Sequence, residues 1–347
     1  IVQEIVTISN GNTGFTNSGS IIAEIVNNGI FSNIYTIGSE NLMKDFTNNG
    51  TFTNDGDVFV KDLENSSKIE NNKNIISSGK FTNTSEITGN AGNLTVVDGT
   101  NSGNITQSKL TISNNTGFEN ATGGVISAEI ENSGNFTNTG TIGSANSAKD
   151  FTNNGSFTNT GDVFVNKLTN NTNSTLDGAG NLMIASGLNS GSIVQNILTI
   201  TGNAGFQNNG SIIAKIANNG TFTNAGAIGS AISAKDFTNS GTFTNNSDVF
   251  VNDLSNSGII NNTSNIIVSG NLENTNFVEN SGKLDVTGKL TNTKTIRNLS
   301  QGNITVGDEF INSDNFSNAG TINANKVTNK GTIANSGTFE ASTITNG

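Results

Sequence analysis

Along much of this chain an apolar residue returns every sixth position, and the five positions between are polar, small or Gly. Phe46-Thr47-Asn48-Asn49-Gly50-Thr51 leads to Phe52-Thr53-Asn54-Asp55-Gly56-Asp57 and then to Val58. The same beat links Val327, Ile333 and Phe339, joins Phe206 to Ile212, and runs more loosely through Phe310, Phe316 and Ile322. A helix needs apolar residues three and four apart over ten or more positions, and this period supplies neither spacing. It fits a short strand, a sharp corner and another short strand, wound repeatedly about one axis. The expected fold is therefore all-β: a parallel β-helix, or β-solenoid, with three short strands per coil. At three beats per coil and about 4.8 Å per coil, the chain would make roughly 17–19 coils.

Within that frame each strand is expected to point one side chain inward. The inward set is predicted to include Phe46, Phe52, Val58, Phe151, Phe157, Val163, Phe237, Phe243, Val249, Phe316, Ile322, Val327, Ile333 and Phe339. Asn and Gly at the corners tolerate left-handed backbone, and stacked coils would set Asn over Asn. Pro is absent, as it should be where every internal strand must donate its N–H.

A longer repeat lies over the hexads. Lys44-Asp45-Phe46 opens a segment ending at Val60, and it recurs from Lys149-Asp150-Phe151 to Val165 and from Lys235-Asp236-Phe237 to Val251. The markers Val6-Thr7-Ile8, Leu110-Thr111-Ile112 and Leu198-Thr199-Ile200 precede the three copies. The sequence thus reads as one continuous solenoid over 1–347, with long repeats at about 6–109, 110–197 and 198–289 and plain hexads over 290–347. Unequal copy lengths suit an architecture in which each coil touches only its neighbours.

Composition narrows the function. Asn makes up about a fifth of the chain, and there is no Pro, Cys, His or Trp, one Tyr and 20 Phe. Charged residues are 12%, with a net charge of −11. No basic cluster offers a footprint for nucleic acid, and no apolar run is long enough to insert in a membrane. A chain so polar could be disordered, but the regular return of Phe, Ile, Leu and Val argues for order. The start at Ile1 reads as a mature or trimmed piece of something longer.

Candidate chemistry is sparse. Asp55 and Asp57 flank Gly56 after Asn54, and calcium favours several oxygens on one turn. Asp162 and Asp248 keep only the last acid in the other copies, so Asp55, Asp57, Asp162 and Asp248 are candidate calcium ligands, set against turn aspartates bonding their own backbone. The Lys-Asp pairs read as solvated corners with an ion pair to a neighbouring coil. Polysaccharide-cleaving β-helices need paired carboxylates in a groove. Here acids are scattered, and without His or Cys the common nucleophile–base pairs are missing. No enzyme activity, cofactor or resident metal is expected. Thr-Phe-Thr at 51–53, 221–223 and 242–244 could form an ice-binding array only if threonines met on successive coils. Asn-x-Thr triplets such as those at Asn93, Asn104 and Asn303 could accept glycans.

Phe15-Thr16-Asn17-Ser18-Gly19-Ser20-Ile21-Ile22-Ala23 and Phe316-Ser317-Asn318-Ala319-Gly320-Thr321-Ile322-Asn323-Ala324 resemble the Leu-x-Asn-x-Gly-x-Ile-x-Ala repeats of filamentous haemagglutinins. They are also similar to the repetitive passengers of bacterial autotransporter adhesins. The resemblance covers nearly the whole chain and is carried by repeats, not by a site. It implies a right-handed parallel β-helix on a bacterial surface. The implied role is a secreted stalk or adhesin segment for cell attachment, partnered by host or bacterial cell-surface molecules. The alternative is the subunit of an extracellular filament, with identical subunits stacked end to end.

Overall fold

The computed structural model describes residues 1–11 and 13–347. Every strand joins its neighbours in parallel, no helix occurs among the described residues, and the stacked strands make a β-solenoid of about 19 turns. The chain divides into two compact units, Ile1–Gly180 and Asn181–Gly347.

In the first unit three inward rows run from coil to coil. One passes through Ile25, Phe46, Leu63, Phe81, Gly99, Phe118, Phe136, Phe157 and Leu176. A second passes through Phe31, Phe52, Ile69, Ile87, Ile105, Ile126, Ile142 and Val163. The third passes through Ile37, Val58, Ile75, Leu94, Leu110, Ile130, Phe151 and Leu168. Reading 46, 52, 58 and then 63 therefore completes one coil. The second unit has the same three rows, led for example by Phe222, Ile228 and Phe237.

Of the inward set read from the sequence, twelve residues from Phe46 to Val327 are buried. Ile333 and Phe339 point inward over Phe316 and Ile322 but are half-buried, because a further strand covers them on one side only. Neighbouring rings within a coil pack edge-on: Phe46 and Phe52 lie 4.8 Å apart, Phe151 and Phe157 4.9 Å, and Phe237 and Phe243 4.7 Å. These separations favour aromatic pairing.

One expectation fails in an instructive way. A strand such as Thr51–Asn54 points two side chains inward, Phe52 and Asn54. Thirty asparagines are buried among the described residues, so the interior is part carboxamide. A buried amide without partners would cost several kcal/mol. Along the ladders, Nδ2 of one asparagine donates to Oδ1 of the asparagine one coil on. One ladder runs Asn27, Asn48, Asn65, Asn83, Asn101, Asn120, Asn138, Asn159, with every link 2.7–2.8 Å. In the second unit, ladders run from Asn189 to Asn335 and from Asn218 to Asn346.

Backbone bonds fix which way each amide points. Gly29 N–H donates to Asn27 Oδ1, and Asn27 Nδ2 donates to the carbonyl of Thr51. All links consequently point the same way along the chain.

Gly99 stands where the first row elsewhere has an apolar side chain. Its φ is +129°, and the rings of Phe81 and Phe118 close over the gap to 6.0 Å. A Cβ there would lie 1.8 Å from the carbonyl oxygen of Phe81. Gly99→Ala is expected to cost about 2–4 kcal/mol by backbone strain and overpacking, read as a lowered urea midpoint. A variant as stable as the parent would contradict the described backbone.

Candidate functional site

In the coils that carry the Lys-Asp pairs, two corners hold the Asn ladders. The third varies in length, and chemistry-bearing side chains gather there. In each long repeat the row residue before this corner is followed by a left-handed Gly: Gly38, Gly143 or Gly229, with φ of +69°, +67° and +63°. The requirement is steric, because a Cβ at these positions would approach the carbonyl of Phe59, Phe164 or Phe250 to 2.0–2.3 Å. A short turn follows, closed by Leu42 N–H to Ser39 O in the first copy and by the matching Ser147 and Ser233 amides in the others. The chain then enters the Lys-Asp pair.

The aspartates of these pairs tie one coil to the next. Asp150 accepts from Asn166 Nδ2 at 2.8 Å, and Asp236 accepts from Asn252 Nδ2 at 2.9 Å. In the first copy the matching residue is Lys61, 4.0 Å from Asp45, and Asp45 also accepts the Asp62 N–H at 3.3 Å. Such exposed links contribute little stability singly. Shallow grooves lie beside the second and third pairs, of 580 and 320 Å³. Their walls differ in charge: Glu129 in one stands where Lys215 stands in the other. The repeat thus does not maintain one ligand chemistry there.

The calcium candidates are held by amides. Asp55 accepts from Asn72 at 2.9 Å, Asp57 from Asn74 at 2.8 Å and Asp248 from Asn265 at 2.7 Å, each partner lying one coil on. The sequence suggested bonds to their own backbone, but the stack offers a donor at closer register. Asp162 opens its strand opposite Thr141. No group of three or more acids that could hold a metal ion occurs among the described residues. Thr53 lies between Ser32 and Glu70, and Thr244 is followed by Asn261, so the threonine face is broken within a coil.

Glu309 is the most strongly shifted acid. Lys326 at 2.8 Å, Thr328 at 2.8 Å and Lys289 at 3.3 Å hold its carboxylate, and these hydrogen bonds lower its pKa to about 2. A depressed folded pKa adds stability above the unfolded value near 4.5, lost as pH falls through about 2. In acid titrations followed by urea unfolding, Glu309→Gln is expected to lack that part of the acid-dependent loss. An unchanged acid limb would contradict the cluster.

One structural residue was missed by the sequence reading. Gly89 interrupts the ladder that runs from Asn17 through Asn33 and Asn54 to Asn71, and Gln107 reaches back from the following coil so that its Oε1 accepts from Asn71 at 2.7 Å. Gln107 Nε2 then turns to the carbonyls of Thr106 and Gly89, which ends the ladder. A new ladder, Asn132 to Asn153 to Asn170, starts on another corner. As a result Phe46 and Phe151, equivalent in the long repeat, lie on different rows of the first unit. Gln195 is equally buried and donates to Val194 in the same manner. The signal was present: Ile105-Thr106-Gln107 and Ile193-Val194-Gln195 put Gln where Asn usually stands.

No family model, curated protein or solved structure matches this chain.

Proposed function

We propose that this chain is a segment of a secreted bacterial surface stalk or adhesin, with a mechanical and attachment role. The observation that carries the reading is the Asn27–Asn159 ladder, which joins successive coils through side chains as well as backbone. Nearest-neighbour stacking of this kind gives stability that accumulates coil by coil. A surface of Thr, Ser and Asn with few charges suits prolonged exposure to the medium, and the haemagglutinin-like repeats support the same compartment. Partners would be host or bacterial cell-surface molecules.

The test is antibody labelling of intact source cells, paired with an attachment assay on cells lacking the chain. Labelling without permeabilisation and reduced attachment are expected. Labelling only after permeabilisation, or unchanged attachment, would overturn the proposal.

A further inference from the structure

Seven Asn-Gly bonds occur in the sequence, following Asn10, Asn28, Asn49, Asn154, Asn209, Asn219 and Asn346. This dipeptide is prone to a spontaneous reaction. The Gly amide nitrogen, losing its proton, attacks Cγ of the Asn side chain and expels the side-chain nitrogen as ammonia. The resulting five-membered imide is opened by water at either carbonyl, giving Asp or isoaspartate. Water enters, ammonia leaves, and no oxidant or catalyst is required. The reaction needs a Gly nitrogen free to swing onto Cγ.

Five of these bonds lie in stacked corners where that swing is blocked. A Cβ built on Gly29, Gly50, Gly155, Gly210 or Gly220 would lie 2.0–2.3 Å from a backbone oxygen of the preceding coil, so each glycine is pressed against its neighbour. Gly29 and Gly220 donate their N–H to the ladder atoms Asn27 Oδ1 and Asn218 Oδ1, and Gly210 donates to the carbonyl of Asn189. The side chains are also engaged: Asn49 donates to Asn28 Oδ1, and Asn171 donates to Asn154 Oδ1. Gly347 donates its N–H to Asn329 O.

Asn10-Gly11 is different. Both residues are exposed, nothing lies within 4 Å of a Cβ built on Gly11, and neither residue is hydrogen-bonded among the described residues.

We infer that Asn10 is a site of spontaneous deamidation in the folded protein, while the Asn-Gly bonds of the stacked corners are held unreactive by the ladder architecture. The corners can react only through local opening of a coil, and such openings are rare where stacking is tight. The first coil would therefore gain a negative charge with age while the corners stay intact.

The experiment incubates the full chain at mildly alkaline pH and 37 °C and follows each Asn-Gly peptide by mass spectrometry for a gain of about 1 Da, the mass of NH2 replaced by OH. Conversion at Asn10 at least about tenfold faster than at Asn28, Asn49, Asn154, Asn209 or Asn219 is expected. The same chain held unfolded in urea should convert all six at comparable rates. Asn10→Gln should remove the early product without altering the corners. Corner conversion in the folded chain as fast as at Asn10, no conversion at Asn10, or a rate order that survives unfolding would each overturn the inference.

Discussion

Replacing Asn280 by aspartate should leave the chain nearly as stable as the parent in acid and markedly weaker at neutral pH. Asn280 is fully buried, accepts from Asn262 at 2.8 Å, and donates to Asn298 Oδ1 at 2.9 Å and to the Gly282 carbonyl at 3.0 Å. In Asn280→Asp an oxygen replaces that donor and faces three oxygens, Asn298 Oδ1 and the carbonyls of Gly282 and Asn303. The new side chain keeps the ladder only when protonated, so its folded pKa rises above the unfolded value near 3.9. The sign follows: no charge penalty below about pH 4, then stability lost as pH climbs through the raised folded pKa. A shift of roughly three units makes the loss about 4 kcal/mol at pH 7. Urea midpoints of parent and variant, compared at pH 4 and pH 7.5, check this. An equal difference at both pH values would mean that Asn280 is not the buried donor described.

The second large effect belongs to the apolar rows. Phe243→Ala is expected to cost about 3–5 kcal/mol, because removal of a fully buried ring leaves a cavity the stack cannot close. Phe237 at 4.7 Å and Phe222 at 5.2 Å lose their partner together. Phe243→Leu should cost far less, about 1–2 kcal/mol, since the inward rows already use Leu at Leu254, Leu272 and Leu290. Outward Phe250 supplies the control, and Phe250→Ala should lower the urea midpoint less than Phe243→Ala. Equal losses at Phe243 and Phe250 would contradict the assignment of inward and outward faces.

Much of this fold was legible because one inward position in each strand is marked by residue type. Phe46, Phe52 and Val58 announce their rows by chemistry alone. The second inward position was not legible, because Asn54 and Asn65 look like ordinary corner residues. A carboxamide turns inward only where the next coil supplies an acceptor, and that partner lies 17 or 18 residues away. The change of corner between the first two long repeats was hidden for a similar reason. It requires counting Gly99 as a core position although it has no side chain, and reading Gln107 as the end of a ladder. The partners of the candidate acids were hidden for another reason. Asp57 and Asp248 sit on turns as expected, but their donors are Asn74 and Asn265 in the following coil, and no local pattern names those partners.

Hydrogen exchange of asparagine side-chain amides, resolved residue by residue by NMR on the full chain, tests the central claim most directly. Amide protons on Nδ2 of Asn48, Asn65, Asn83 and Asn280 should exchange orders of magnitude more slowly than those of exposed Asn28 and Asn219. Ladder amides that exchange as fast as the exposed ones would show that no continuous carboxamide stack runs through the interior.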